Sequence, residues 1–192
     1  VNDTIVGNES KELLEGTWVN SDYGVPPITI STPKVLKRDN SPIPEEMKAQ
    51  MAMTNFSFGS VLDFFSISIS TTKLKQQEAQ QEIDLNQVAE KAIKQLESKG
   101  VENILVKQDK FVTPNKAEGL KTYGYASFPS LNSEGYYEGE YVLLHFTAEN
   151  LVQQITLTWH KDDVYATDIV ERIINSVELV KEESLNKKEE EN

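Results

Sequence analysis

Both histidines of the chain, His145 and His160, lie in one stretch, SEGYYEGEYVLLHFTAENLVQQITLTWH, together with glutamates and tyrosines. An imidazole can bind a metal ion or transfer a proton near neutral pH. Neighbouring carboxylates could complete a metal site or act as general acid and base. This stretch is therefore the first place to look for chemistry.

The strands that carry the two histidines hold them apart. Residues 136–148 and 151–160 read as strands on either side of a two-residue turn, which predicts an antiparallel hairpin. That turn places His145 opposite Gln154. At about 3.3 Å per residue, His160 is then about 20 Å away along the sheet, whereas ligands of one ion lie about 2 Å from it. The sequence predicts no shared metal site, and a single histidine on a mixed strand face is typical of a half-buried or surface residue.

Glu138 and Glu140 form the other candidate for acid–base chemistry. They lie two residues apart, on one side of the predicted strand, and paired carboxylates can act as acid and base at a suitable separation. They lie next to Gly135 and Gly139 near the strand start, which favours a solvated edge. A small hydrolase or lyase using Glu138, Glu140 and His145 is therefore kept as an alternative.

Tyrosines are concentrated in the same region of the chain. A tyrosine has an apolar ring and a polar tip, which suits a surface that binds a protein or a glycan. Cross-strand packing within the sheet is the competing interpretation. The cluster comprises Tyr123, Tyr125, Tyr136, Tyr137 and Tyr141. We predict Tyr136, Tyr137, Tyr141 and His145 as partner-binding residues.

The sequence lacks the motifs of several common sites. With no cysteine, disulfides, thiolate metal sites and cysteine nucleophiles are excluded. The sequence contains no glycine-rich phosphate loop, no G-x-S-x-G elbow and no H-E-x-x-H pair. We therefore predict no catalytic residue set, no cofactor and no metal.

The charge of the chain argues against nucleic-acid binding. Lys and Arg total 19 and Asp and Glu total 31, so the net charge is 19 − 31 = −12. A chain with this charge repels phosphate backbones. Its two arginines, Arg38 and Arg172, are the only side chains that could make bidentate hydrogen bonds to a phosphate. The acidity suits a basic partner or simply a solvated surface.

Composition predicts one domain with a polar segment at each end. Residues 1–14 are expected to form a linker or arm, residues 15–180 the domain, and residues 181–192, KEESLNKKEEEN, a disordered acidic and polar tail. The first residues, VNDTIVGNESKE, resemble the stretch that follows a removed export signal. The expected location is the periplasm or cell surface, with or without a lipid anchor lost with that signal. No apolar run approaches the ~20 residues that cross a bilayer, so no transmembrane segment is predicted.

The sequence pattern predicts further strands and two long helices besides the histidine-containing hairpin. FSISIS alternates apolar side chains with serines, and strands are expected near residues 103–112 and 119–128. Asp84, and Asp162 or Asp163, can cap two amphipathic helices. The hairpin's expected core face comprises Val142, Leu144, Phe146, Ile155, Leu157 and Trp159. The first helix's apolar stripe comprises Leu85, Val88, Ala89, Ala92, Ile93 and Leu96. The apolar stripe of the second helix comprises Ala166, Ile169, Val170, Ile173, Ile174 and Val177. The predicted fold class is α+β, a mostly antiparallel sheet sandwiched between two amphipathic helices in three α/β/α layers.

The order of these elements resembles the PsbP-like superfamily. The resemblance covers residues 17–180 and rests on the Trp18 segment, ITISTPKVL, FSISIS, the middle helix, a four-stranded meander and the closing IVERIINSVEL helix. That superfamily includes the photosystem protein PsbP, a Ran-binding nuclear transport factor and DcrB-type bacterial lipoproteins. It implies an antiparallel sheet between helices and a binding or assembly role. No metal or chloride ligand set is carried over.

The expected function is therefore a noncatalytic, exported binding or assembly module whose partner is a protein or a glycan. The alternatives are the small hydrolase or lyase described above and an intracellular adaptor that resembles the transport factor. Convergence of Glu138, Glu140 and His145 in one pocket would favour the enzyme. An exposed tyrosine-lined patch over an uninterrupted core would favour the binding module.

Overall fold

The computed structural model describes residues 3–75, 82–131 and 135–180. Within them, strands of alternating apolar and polar side chains form a seven-stranded antiparallel sheet. A three-stranded sheet and four helices complete the described α+β fold. The helices are α1 (Asp3–Glu15), α2 (Glu45–Lys48), α3 (Leu85–Ser98) and α4 (Val164–Ile174). The strands are β1 (Val19–Tyr23), β2 (Ile28–Thr32), β3 (Lys37–Arg38), β4 (Met51–Phe58), β5 (Phe65–Leu74), β6 (Lys107–Val112), β7 (Glu118–Pro129), β8 (Tyr136–Ala148), β9 (Leu151–His160) and β10 (Glu178–Leu179).

The large sheet has the strand order β3-β4-β5-β9-β8-β7-β6, so the short β3 and the more exposed β6 form its edges. The small sheet has the order β1-β2-β10. Within the large sheet, β6 to β9 form the predicted four-stranded meander. The β8–β9 hairpin has the predicted register, with His145 opposite Gln154 and Gly139 opposite His160.

One face of the large sheet carries the main apolar core. Alternation directs Leu144, Ile155 and Ile67 to this face, and each is at most 1% exposed. Helix α4 and strand β2 contribute to the same cluster, so this face is covered by a helix together with part of the small sheet. The predicted core face of the hairpin is confirmed, because all six of its side chains belong to this cluster.

The opposite face carries a smaller apolar cluster beneath α3. Tyr141 and Leu143 of β8 alternate with the residues of the main core and pack with Ala92 and Leu96 of the helix. The small alanine brings α3 close to β7 and β8, which are the two strands it contacts. On β5, which β9 separates from β8, this face presents the predicted serines Ser66, Ser68 and Ser70.

Aspartates precede α3 and α4, the two helices that the sequence predicts to be capped in this way. The Asp84 side chain accepts a hydrogen bond from the backbone N–H of Asn86, at 2.9 Å. Asp163 does the same for Ala166, at 3.0 Å. Each carboxylate satisfies a backbone donor that the first helical turn leaves without an intrahelical partner. None of the described helices has the length and apolarity needed to span a membrane.

The N-terminal segment differs from the expected arm. Helix α1 occupies most of it and packs beside α4, where Leu13 and Leu14 contact the main core. Ser10 is fully buried there and donates a hydrogen bond from Oγ to Asp163. The predicted tail, residues 181–192, lies outside the described residues.

The strand expected from residue 103 starts four residues later. Asn103 has a positive φ of 52°, a left-handed conformation that interrupts extended pairing. Only an isolated bridge, between Glu102 and Ser127, precedes β6. The Leu105 backbone N–H then donates to the Tyr125 carbonyl oxygen at 2.9 Å, which ties this irregular segment to the edge of β7.

Candidate functional site

Aromatic and charged side chains gather where β7 and β8 extend past the main core. We call this surface the tyrosine–carboxylate patch, and it consists of Glu102, Tyr125, Tyr136, Glu138, Glu140 and Lys161. Five of these residues are exposed and Glu140 is half-buried. Tyr136 is 50% exposed and Tyr125 is 45% exposed, so both rings are accessible to a partner.

Strand pairing fixes the spacing of the three carboxylates. Glu138 lies opposite Ser127, which in turn bridges to Glu102, so these three residues form one row across the sheet. Two strand spacings place Glu102 about 10 Å from Glu138. Glu140 lies two residues along β8, about 7 Å from Glu138 on the same face, and it faces Tyr125. The carboxylates therefore form a triangle.

Lys161 already makes two contacts within the patch. Its ammonium group donates to Oε2 of Glu138 at 3.1 Å and lies 5.3 Å from the centre of the Tyr125 ring. The hydrogen bond and the charge of Glu138 raise the pKa of Lys161. A carboxylate and an aromatic face thus hold one cation together.

A second tyrosine–carboxylate pair lies next to the first. The Tyr136 hydroxyl donates to Oε1 of Glu102 at 3.0 Å. That hydrogen bond, with the carboxylate charge, raises the pKa of Tyr136. The Tyr136 ring is thereby oriented over the exposed row of the sheet.

Glu140 is the half-buried carboxylate of the patch. Burial raises its pKa, and this is opposed by the Trp159 N–H, the Tyr125 hydroxyl and the charge of Lys161. Among the described residues, Trp159 Nε1 completes no ordinary hydrogen bond, so its N–H attracts the carboxylate without fully satisfying it. No Lys or Arg of the described chain lies within ion-pair distance of Glu140, because Lys161 pairs with Glu138 instead.

Two of the four predicted partner-binding residues are enclosed by the protein. Tyr141 and His145 are 0% exposed, so neither forms part of the surface. The Tyr141 hydroxyl donates to the Leu105 carbonyl oxygen at 2.7 Å, and burial raises the pKa of Tyr141 to about 12. Tyr141 packs in the apolar cluster beneath α3, and His145 lies on the same face of β8.

Tyr137 packs against other side chains of the protein, whereas Tyr136 lies on the surface. The Tyr137 ring stacks between Phe128, at 5.6 Å, and His160, at 5.1 Å. Its hydroxyl donates to backbone carbonyls of the loop before β5, and burial raises the pKa of Tyr137 to about 12. Cross-strand packing therefore accounts for Tyr137, and Tyr136 remains on the open surface.

The predicted enzymatic residues lie on two different faces of the sheet. Glu138 and Glu140 have the same parity along β8, whereas His145 has the opposite parity and lies on the α3 side. His160 faces Gly139, six pairs from the His145–Gln154 pair. Among residues 3–75, 82–131 and 135–180, no three His, Cys, Asp or Glu side chains are grouped so that they could hold a metal ion.

His145 is held in a neutral environment. Its Nε2 donates to Oε1 of Gln154 at 2.9 Å, and Nδ1 has no partner among the described residues. Burial lowers the pKa of His145, an effect that the hydrogen bond to Gln154 opposes. Its cross-strand neighbours, Leu120 and Gln154, carry no charge that could stabilise an imidazolium.

Acidification is therefore expected to destabilise the fold through His145. The unfolded chain binds a proton near pH 6.5, whereas the folded chain resists protonation, so the free energy of unfolding falls as the pH drops below about 6.5. His145 alone can change the free energy of unfolding by at most about 1.4 kcal/mol per pH unit. Urea unfolding between pH 7.5 and pH 5 measures it.

The matched variants for this measurement are His145→Gln and His160→Gln. The first removes the buried imidazole and is expected to flatten the pH dependence in this window. The second keeps His145 and is expected to retain the pH dependence of the free energy of unfolding. Equal slopes for His145→Gln and the unmodified protein would contradict the assignment.

Two members of the patch, Glu102 and Lys161, were not among the candidate residues of the sequence analysis. Tyr125 was recognised as part of a tyrosine cluster, but its pairing with Glu140 depends on the β7–β8 register. Comparison with known proteins adds no functional residue, because no protein-family model and no curated protein matches this chain. The function is therefore inferred from the chemistry of the patch.

Proposed function

We propose that this protein is a noncatalytic binding or assembly module, exported to the periplasm or cell surface with or without a lipid anchor. The observation that carries the proposal is the tyrosine–carboxylate patch, in which Tyr125 and Tyr136 lie exposed on a regular sheet. Strand pairing fixes the positions of these side chains, so little order has to be gained when a partner binds. Tyrosines at fixed positions are typical of interaction surfaces.

We also propose that the fold is the three-layer sandwich of the PsbP-like superfamily. The support is the order of elements and the packing of α3 and α4 against opposite faces of the large sheet. That superfamily consists largely of binding and assembly proteins, which agrees with the role proposed for the patch.

A small hydrolase or lyase is the second candidate, and one observation favours it. Glu140 has a raised pKa and shares one face of β8 with Glu138, two residues away, so the two carboxylates could act as a pair. Two observations weigh against it. Lys161 already pairs with Glu138, and His145 is buried on the other face. An intracellular adaptor is a third candidate that shares the binding role and differs in location.

Site-specific photocrosslinking in the producing cells tests the proposed function. A photoreactive phenylalanine derivative replaces Tyr136 in one variant and Met47, an exposed residue of α2, in the control. We expect a discrete crosslinked product from position 136 alone, recovered in the exported fraction. Products of equal yield from both positions would contradict the proposal, as would hydrolytic turnover that Glu140→Gln abolishes.

A further inference from the structure

All three methionines of the chain lie within one short stretch, MKAQMAM, at the start of β4. They are Met47 of α2 and Met51 and Met53 of β4. Met47 is 38% exposed, Met53 is 37% exposed and Met51 is half-buried. None of the three belongs to the main core or to the cluster beneath α3, although methionine is more often a core residue. Core packing therefore does not account for their concentration here.

Strand geometry places two of the sulfurs side by side. Met51 and Met53 have the same parity along β4, so their side chains leave one face of the sheet about 7 Å apart. Among the described residues, β3 pairs with β4 only at Phe56 and Ser57, so the edge of the sheet beside the two methionines is unpaired. An ion can therefore reach this corner of the sheet from solvent.

The turn before β4 brings Met47 to the same corner. The backbone N–H of Gln50 donates to the carbonyl oxygen of Met47 at 3.0 Å. Such a turn keeps the Cα atoms of its first and fourth residues within about 7 Å, and Met51 follows one Cα spacing of about 3.8 Å later. Each methionine side chain has three rotatable bonds, so sulfurs from positions this close can converge on one ion.

The chemistry of the thioether group determines which ion fits. Thioether sulfur is an uncharged, soft ligand and selects Cu(I), whereas Mg²⁺ and Ca²⁺ take oxygen ligands and zinc takes thiolate, imidazole and carboxylate. The chain has no cysteine, so methionine is its only source of sulfur ligands. The Lys48 ammonium group beside Met47 pairs with Glu45 at 2.9 Å, so a carboxylate offsets its repulsion of a cation.

We infer that Met47, Met51 and Met53 form a binding site for one soft monovalent metal ion, Cu(I), held by thioether sulfurs. The ion binds in its reduced form and no electron is transferred. Ala52, between two of these methionines, is level with Leu151 at the β8–β9 turn, whereas the tyrosine–carboxylate patch lies at the other end of that hairpin. The metal site and the proposed binding role therefore succeed or fail separately.

NMR of the methionine methyl groups tests this inference on the full chain. Protein with isotope-labelled methionine methyl groups is titrated in chloride-free buffer with Ag(I), a redox-stable substitute for Cu(I). We expect all three methyl resonances to shift together and to stop shifting at one ion per chain. Zn²⁺ and Mg²⁺ at the same concentrations are expected to shift none of them. Resonances that stay unchanged in excess Ag(I) would overturn the inference.

Replacing methionine with leucine removes the sulfur and keeps an apolar side chain of similar size. Met51→Leu and Met53→Leu are each expected to weaken Cu(I) binding at least about tenfold, because losing even a group that supports a metal ligand costs about that much. Competition with a coloured Cu(I) chelator, in ascorbate and without oxygen, measures the affinity. Urea unfolding is expected to show that both variants keep their stability, because neither side chain lies in the core.

His160→Gln is the control for binding by imidazole. His160 is half-buried, and it lies at the end of β9 far from the methionines. This variant is expected to keep its affinity for Cu(I). Binding that is lost in His160→Gln and kept in both leucine variants would assign the ion to imidazole and overturn the inference.

Leu74→Met tests the site by a gain, because it adds a fourth sulfur. Leu74 is 38% exposed and lies directly opposite Met51, so both side chains leave the same face of the sheet. We expect this variant to bind Cu(I) about tenfold more tightly. The control Leu62→Met is 39% exposed at the opposite end of the β4–β5 hairpin and is expected to have no effect. An equal gain in both variants would show that position does not matter and would overturn the inference.

Discussion

Replacing Leu144 with alanine is expected to lower the free energy of unfolding by about 2–5 kcal/mol. Leu144 is 0% exposed and lies in the main core, opposite Ile155 on β9 and Lys121 on β7. Truncation removes buried apolar surface and leaves a cavity, because paired strands on both sides restrict how far the site can collapse. Urea unfolding at pH 7.5, followed by tryptophan fluorescence, measures the change.

The control for this variant is Leu105→Ala. Leu105 is 61% exposed, so its truncation is expected to change the free energy of unfolding by no more than about 0.5 kcal/mol. A similar loss for both variants would mean that the face assigned as the main core does not dominate stability.

Asp163→Ala is expected to cost about 2–4 kcal/mol, because the side chain makes two different hydrogen bonds. Its Oδ1 accepts from the backbone N–H of Ala166 and starts α4, while its Oδ2 accepts from Ser10 of α1. Asp163 is 3% exposed, so its loss also leaves a buried serine hydroxyl without a partner. Thermal and urea unfolding measure the loss.

A double-mutant cycle separates the two contributions. Ser10→Ala combined with Asp163→Ala is expected to cost less than the sum of the single variants, since both remove the same hydrogen bond. Asp84→Ala is the matched control, because Asp84 caps α3 and has no contact with Ser10. Strict additivity of Ser10 and Asp163 would show that α1 is not coupled to α4 through this pair.

The hairpin and the helix starts were predictable because local rules determine them. A two-residue turn fixes every cross-strand pair of β8 and β9, and alternation then decides which side chains share a face. Asp84 was recognisable as a cap because it precedes a stripe of apolar residues, and for the last helix the same rule left Asp162 and Asp163 as alternatives, of which the structure has Asp163. These elements need no information from distant parts of the chain.

The candidate site was only partly predictable because it depends on distant contacts. Alternation places Tyr141 and His145 on one face, but it does not tell whether a helix covers that face, and here α3 does so beside β7 and β8. Tyr125 meets Glu140 only through the β7–β8 register. Glu102 joins the patch through an isolated bridge to Ser127, and the left-handed Asn103 directly after it interrupts further pairing.

The edge strand β6 bears on self-association. Suppose that the β6 strands of two copies pair in antiparallel fashion about a two-fold axis. Directly opposed side chains lie on the same side of the sheet, and the axis keeps each residue on its own side. The register must therefore pair some residue with the same residue of the second copy. The two alignments with the longest overlap set Asp109 against Asp109 or Lys110 against Lys110 of the second copy. Both place like charges in direct opposition, which disfavours growth of the sheet into ribbons or fibrils along this border.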